Sequence, residues 1–252
     1  VFHVLAQLNM SFTLKIQKLD QTSLLSTQFA PQQLSPDWFE PDYWQSRDAV
    51  IGSSCGRYTT WFVEQDRQQW VLRHYWRGGA IARLSKDKYC YLGLQRTRAA
   101  AELTLLNTLW IEGYPVPKPI AARVIRHGLF YQADILIEKI AGARDLVDIL
   151  SEQSFDMEQW QALGGCIAKF HQRGVYHADL NAKNIMLNED GFHLIDFDRG
   201  AIKPASHQWQ QANLARLLRS FTKEKSKQPH LAFSDDCWMS LLKGYNLTRA
   251  LG

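Results

Sequence analysis

"HADLNAKN", residues 177–184, is followed at residues 193–200 by "HLIDFDRG". In the first stretch Asp179 and Asn184 share a polar loop between helix-like and strand-like sequence. In the second, Asp196 comes directly after the strand-like "FHLI", so its carboxylate projects from a strand end. Polar loops framed by apolar elements are where a rigid scaffold aims functional groups. Asn184 and Asp196 offer the hard oxygen ligands that suit Mg²⁺, an ion that completes its shell with phosphate oxygens and water. Asp179 is then left to accept or orient the proton of an attacking hydroxyl, the division of labour of phosphoryl transfer. Turn capping is the ordinary alternative use of Asp and Asn. An Asp-x-x-x-x-Asn alone is weak evidence, but followed in order by Asp-Phe-x at a strand end it is strong.

Supporting parts precede the pair in the chain. In "VIGSSCGRYTTWFV" (50–63) Gly52 and Gly56 are expected at a strand-to-strand turn whose backbone amides approach ATP phosphates. On the third strand, "WVLRHY" carries Arg73, and Glu102 on the following helix is its candidate ion-pair partner. A guanidinium can clamp α- and β-phosphates bidentately. "ILIEKIAG" (135–142) leads a strand into a connection whose backbone from Glu138 to Ile140 can meet an adenine edge, with Ile51, Val71 and Ile195 around the base.

The periodicity elsewhere sets the fold class. "DAVIGSS", "YTTWFVEQ" and "QWVLRHYW" read as an antiparallel meander, and the loose alternation from Val4 to Leu25, as in "FTLKIQKL", favours an earlier strand or two. "APQQLSPDWFEPDYWQSRDAV" (30–50), with three prolines and exposed-looking Trp and Tyr, reads as an irregular segment or short helix wrapped on the body. Ala100, Leu103, Leu106 and Trp110 recur at helical spacing, as do Trp160, Leu163, Ile167 and Phe170 in a helix that stops at Gly174. Trp209 to Leu251 reads as two or more helices. Strands first and helices later predict an α+β, two-lobed chain. The expected boundaries are an N-terminal extension packed on the N-lobe (1–48), an antiparallel-sheet N-lobe with one main helix (49–140) and a mainly helical C-lobe (141–252), with ATP in the cleft between lobes.

Composition narrows the partners. The 252 residues, 46% hydrophobic and 12% aromatic, support a real core, and 29 Lys+Arg against 25 Asp+Glu leave +4. That balance fits an anionic partner without calling for nucleic acid. Cys55, Cys90, Cys166 and Cys237 are too scattered for a zinc site or a disulfide framework. No stretch is long enough for a membrane span, and "VFHVLAQLNM" lacks the basic region and cleavage site of a signal peptide.

From Gly52 to Phe197 the chain resembles the protein-kinase-like superfamily, with "HAD" at 177–179 standing for His-Arg-Asp and "DFD" at 196–198 for Asp-Phe-Gly. More narrowly it resembles the lipopolysaccharide-core kinases, on "GRYTTWFV", "WVLRHYWRGG", "HADLNAKNIML", "IDFDRG" and "QQANLARLLRSF". The resemblance implies a bilobal kinase-like fold, ATP and Mg²⁺, and Kdo-lipid IV(A) or a related lipopolysaccharide precursor as acceptor, phosphorylated on the 4-hydroxyl of Kdo. It implies a peripheral location at the cytoplasmic face of the bacterial inner membrane. It also gives Asp179 the base role, Asn184 and Asp196 the metal, and Arg73 with Glu102 the phosphate clamp.

Two positions depart from the superfamily pattern: Arg73 stands where a lysine is usual, and Asp198 where a glycine is. No Ala-Pro-Glu and no long activation segment follow "DFDRG", so no protein substrate is expected. A heptose or aminoglycoside-like acceptor, or an ATP-binding scaffold without turnover, are the alternative readings. Contact with anionic lipid is expected from basic residues together with Trp38 and Trp44, and acceptor anions from Arg73, Arg77, Arg83, Lys86 and Lys88.

Overall fold

The structure, a computed structural model, describes residues 14–55, 59–77 and 86–251. The described residues form two compact units. One takes in everything up to Glu112 together with Lys118–Lys139, the other Gly113–Pro117 together with everything from Ile140 onward.

The first unit is built on one antiparallel sheet. Its strands are β1 (Lys15–Leu19), β2 (Thr22–Ser26), β3 (Val50–Cys55), β4 (Thr59–Gln65), β5 (Gln68–His74), β6 (Tyr89–Cys90), β7 (Pro119–His127) and β8 (Phe130–Glu138). They lie in the order β1-β2-β7-β8-β5-β4-β3, with β6 on the end of β8. The β3–β5 meander follows from alternating Thr, Val and aromatic residues. Its β4–β5 connection is a two-residue turn in which Asp66 (φ 53°) and Arg67 (φ 64°) are both left-handed, the twist that matches a hairpin. The β1–β2 hairpin extends the sheet, pairing β2 with β7.

Against the sheet lies α2 (Arg98–Ile111), capped by the Thr97 hydroxyl, which accepts from the Ala100 N–H at 3.4 Å. It buries Ala100, Leu103 and Leu106. A second apolar cluster brings Trp38, Phe39 and Trp44, the last in the short α1 (Pro41–Gln45), onto Trp70 and Leu72 of β5. Trp38 is 2% exposed and Trp44 0%. The expectation that these two indoles face a membrane is therefore wrong. The proline-rich segment folds back on the sheet, and the Trp44 Nε1–H finds its acceptor internally, at the Trp38 carbonyl, 2.7 Å away.

The second unit is mainly helical: α3 (Leu146–Glu152), α4 (Met157–Gln172), α5 (His207–Lys227) and α6 (Asp235–Leu251). Small strand pairings support its loops: β9 (Arg144–Asp145) with β11 (Ile185–Asn188), β11 with β12 (Gly191–Leu194), and β10 (Val175–Tyr176) with β13 (Ala201–Ile202). A capping box starts α4, the Asp156 carboxylate accepting from the Gln159 N–H at 2.7 Å and the Gln159 side chain accepting from the Asp156 N–H at 2.9 Å. The face carrying Trp160, Leu163, Ile167 and Phe170 is buried.

Glycines let α4 and α6 cross at backbone contact. A Cβ on Gly164 would sit 2.0 Å from the Leu241 carbonyl oxygen, and one on Gly244 2.0 Å from that of Gln161. Backbone cannot rotate out of the way as a side chain can. Gly244→Val should therefore cost about 3 kcal/mol or more by overpacking, read as a lowered urea midpoint with unchanged slope.

The same helix pair carries a buried titratable contact. His171 of α4 places Nδ1 2.9 Å from the Tyr245 hydroxyl of α6, and burial holds its pKa down to about 4 from the usual 6.5. A depressed folded-state value means that the unfolded chain binds the extra proton between these limits, so stability rises with pH across that window and is lost as pH falls below 6.5 towards 4. Acidification across it should cost on the order of 3 kcal/mol at this residue. Urea unfolding at pH 7 and pH 4.5 should show a smaller loss for His171→Gln than for the parent chain.

Candidate active site

Asp179 sits in the loop between β10 and β11, and the loop is held from three directions. From within, Asn181 caps the short turn at Ala182–Asn184, its Oδ1 accepting from the N–H groups of Lys183 (2.9 Å) and Asn184 (3.2 Å). Its Nδ2 donates back to the Asp179 carbonyl at 3.0 Å. From beneath, buried His177 accepts the Asp179 N–H on Nδ1 at 3.2 Å. Nε2 must then carry the proton, and it lies 2.9 Å from the Ile195 carbonyl, to which it donates. Burial lowers the His177 pKa, which keeps the ring neutral in this tautomer.

The third hold comes from α5. Asn213 accepts the His177 N–H on its side-chain oxygen at 3.3 Å, and the Ser220 hydroxyl accepts the Ala182 N–H at 2.9 Å. Between them Arg216 donates to Asp179 Oδ1 at 2.5 Å, with both side chains about half-exposed. This polar stripe lies in "QQANLARLLRSF", a stretch read from sequence only as an apolar helix face and a likeness. Its signal was polar residues recurring at helical spacing beside Leu214 and Leu217.

Asn184 and Asp196 are joined through the same framework. The Ile195 N–H donates to the Asn184 carbonyl at 3.0 Å, while the Ile195 carbonyl is the acceptor for His177. Asp196 therefore follows a residue fixed at both backbone groups. It adopts φ 62°, a left-handed conformation that Asp tolerates better than most residues. Asp198, at the position where glycine is usual, does not have positive φ; Asp196 and Arg199 (φ 58°) do. Glycine's special freedom is not needed at 198, which accounts for a side chain there. Phe197, fully buried, packs on His177 with ring centroids 4.8 Å apart.

Among the described residues no three His, Cys, Asp or Glu side chains form a self-sufficient metal site. Mg²⁺ does not require one, since one or two protein oxygens suffice when phosphate and water complete the octahedron. The Asn184 amide suits this: Nδ2 is committed to the Asp179 carbonyl at 3.0 Å, leaving Oδ1 with no hydrogen-bond donor among the described residues. An amide oxygen and a carboxylate such as that of Asp196 are donors of the kind Mg²⁺ takes.

In the first unit the structure brings Arg73 and Glu102 together. Arg73 Nη2 donates to both Glu102 carboxylate oxygens at 2.6 Å, and the Tyr75 hydroxyl donates to Oε2 at 2.5 Å. Burial and the Glu102 charge raise the Tyr75 pKa well above its usual value, so the phenol stays a donor. Gly52 is placed differently from expectation. It lies inside β3 opposite Phe62, at a bulge, rather than in the turn. The ladder continues beyond it to Cys55↔Thr59. Gly56 lies outside the described residues, as do Arg83 and residues 1–9.

At the end of β8 the Glu138 N–H is taken by the Lys118 carbonyl (2.8 Å) and the Lys139 N–H by that of Gln69 (2.9 Å). The Ile140 N–H has no acceptor among the described residues. Ile51 is exposed and Val71 half-buried, so neither is spent on the core.

A sheet unit with one main helix and a mainly helical unit carrying these acidic loops make this a protein of the bilobal protein-kinase-like class. A solved structure titled "WaaP in complex with acyl carrier protein" has the same fold, with TM-score 0.55 and 17% identity over 86% of this chain and 88% of that one. A family profile described as "Lipopolysaccharide kinase (Kdo/WaaP) family" matches residues 41–245. The chain is 44% identical over 223 residues, 87% of its length and 94% of the relative's, to a 3-deoxy-D-manno-octulosonic acid kinase of Photobacterium profundum. It is 49% identical to one of Vibrio parahaemolyticus (75% of this chain, 80% of the relative) and 42% identical to one of Haemophilus influenzae (83% and 90%). The chain belongs to the lipopolysaccharide kinase (Kdo/WaaP) family and is an ATP-dependent phosphotransferase. Among the described residues no helix is long and apolar enough to cross a membrane.

Proposed function

We propose that the chain transfers the γ-phosphoryl group of ATP to the 4-hydroxyl of the Kdo sugar in Kdo-lipid IV(A) or a related lipopolysaccharide precursor. The observation that carries the choice of acceptor is the 44% identity to a 3-deoxy-D-manno-octulosonic acid kinase across nearly all of that enzyme's length. Asp179 accepts the proton of the acceptor hydroxyl as its oxygen bonds to the γ-phosphorus. The bond to the β–γ bridging oxygen breaks, and ADP leaves with that electron pair. Asn184 and Asp196 hold Mg²⁺, which when bound neutralises charge on the phosphate oxygens. Arg73, oriented by Glu102, meets the phosphates. Glu138 and Ile140 meet the adenine edge through backbone groups, and Ile140 has an N–H to give.

Arg216 holds Oδ1 of the Asp179 carboxylate, and the acceptor hydroxyl uses the remaining lone pair of Oδ2, which also accepts from Asn181 Nδ2 at 3.3 Å. The acceptor is a lipid, so the enzyme works peripherally at the anionic, cytoplasmic face of the inner membrane. Mass spectrometry of Kdo-lipid IV(A) after incubation with protein, ATP and Mg²⁺ tests the reading. The expected product carries one added phosphate on Kdo. An unchanged Kdo-lipid IV(A) alongside phosphorylation of a heptose-bearing acceptor would reject it.

A further inference from the structure

At one end of the first unit's sheet, two hairpin tips and the segment after β6 are tied together. The Arg126 N–H donates to the Gln21 carbonyl, and the Tyr91 N–H to that of Leu129, both at 2.9 Å. This end presents large apolar side chains to solvent: Leu129 is 78% exposed, Leu92 71% and Phe130 45%. Single exposed leucines need no explanation, but a group of them on one rim does. Beside them lies a recess of about 380 Å³ lined by Lys18, Asp20, Ser23, Tyr91 and Arg126.

The two cations of that recess are available. Arg126 stacks over Tyr91 at 4.7 Å and uses only Nε internally, to the Gly128 carbonyl at 2.9 Å. Lys18 has no hydrogen-bond or ion-pair partner among the described residues. Exposed apolar side chains flanking cations on an aromatic shelf match a bilayer interface, acyl boundary against leucine and anionic headgroup against ammonium and guanidinium.

We propose that this end of the sheet, with Leu92, Leu129 and Phe130 inserted and Lys18 and Arg126 on headgroup phosphates, is the surface by which the enzyme docks on an anionic bilayer. The proposal rests on the lipid-acceptor reading above and adds the surface to it. Trp38 and Trp44, the residues first expected to serve, are in the core.

Vesicle flotation tests it with the full chain and no turnover. The parent protein should float with phosphatidylethanolamine–phosphatidylglycerol vesicles and far less with phosphatidylcholine. Each Lys or Arg near an anionic surface is worth about fivefold in partitioning, so Lys18→Gln/Arg126→Gln should lose roughly 30-fold. Leu92→Ser/Leu129→Ser should lose on the order of tenfold or more, and Met239→Ser, exposed in the second unit, nothing. All these variants should still phosphorylate a de-acylated, water-soluble acceptor at the parent rate.

A parent protein that does not float, or surface variants that float as it does, would overturn the proposal. Variants that lose flotation while no protein, parent included, phosphorylates any Kdo acceptor would sustain the docking surface and reject the acceptor.

Discussion

Asp179→Asn is expected to lower phosphoryl transfer by about a thousand-fold, the middle of the range for a positioned general base, while the chain stays folded. The amide keeps the size of the carboxylate and loses its capacity to take a proton. The surrounding loop is held mainly through backbone groups of residue 179: its N–H on His177 and its carbonyl on Asn181 and Asn184. None of these contacts needs the carboxylate. The ion pair with Arg216 is lost, but both partners are about half-exposed, and such pairs contribute about 0–1 kcal/mol. A thermal midpoint close to the parent's together with collapsed turnover is the expected pattern, measured by radiolabelled phosphate transfer beside a melt. Retention of a tenth or more of the parent rate would remove Asp179 from the base role.

Why that loop could be found in the sequence, while parts of its surroundings could not, follows from which forces leave a local trace. The strands β3–β5 and the helix α4 repeat their apolar residues at the period of their own backbone, and a hairpin or a C-terminal glycine ends each one. Strand β7 leaves no such trace. It begins among the prolines of "YPVPKP" and is buried on both faces from Pro119 to Val124, so nothing in it alternates.

Trp38 and Trp44 mislead for a related reason. A proline-rich, aromatic segment reads the same whether it faces solvent or folds back onto Trp70. In the site, Asp179, Asn184 and Asp196 are legible because their chemistry is fixed by spacing and order. The Asn213, Arg216 and Ser220 stripe is legible only in three dimensions, since its partners lie 36 to 38 residues away in the chain. The departure at Asp198 becomes intelligible only once the left-handed residues prove to be its neighbours.

Arg73→Met separates what the buried pair does for stability from what it does for chemistry. The Glu102 side chain is 1% exposed and takes Arg73 on both oxygens, with Tyr75 on one. Removing the guanidinium takes from this buried carboxylate the cation bonded to both of its oxygens, a loss of about 3–5 kcal/mol. Loss of that cation favours the protonated carboxyl, so between pH 8 and pH 5 the variant should lose less stability than the parent, in which His171 sets an acid-side loss.

Arg73→Met/Glu102→Leu removes both charges and should recover most of the stability, because an apolar pair of similar volume often equals a buried ion pair. It should not recover turnover, since the guanidinium that meets the phosphates is gone. Denaturant melts of the three proteins, with transfer rates measured at saturating ATP, check both halves. If the double variant regained activity along with stability, Arg73 would be a structural residue and the phosphate contact would have to come from elsewhere. Arg73→Lys adds the finer comparison. An ammonium keeps the charge but lacks the planar fork, so it should fall between parent and Met in stability, and its rate reports how far the arginine at this position substitutes for the usual lysine.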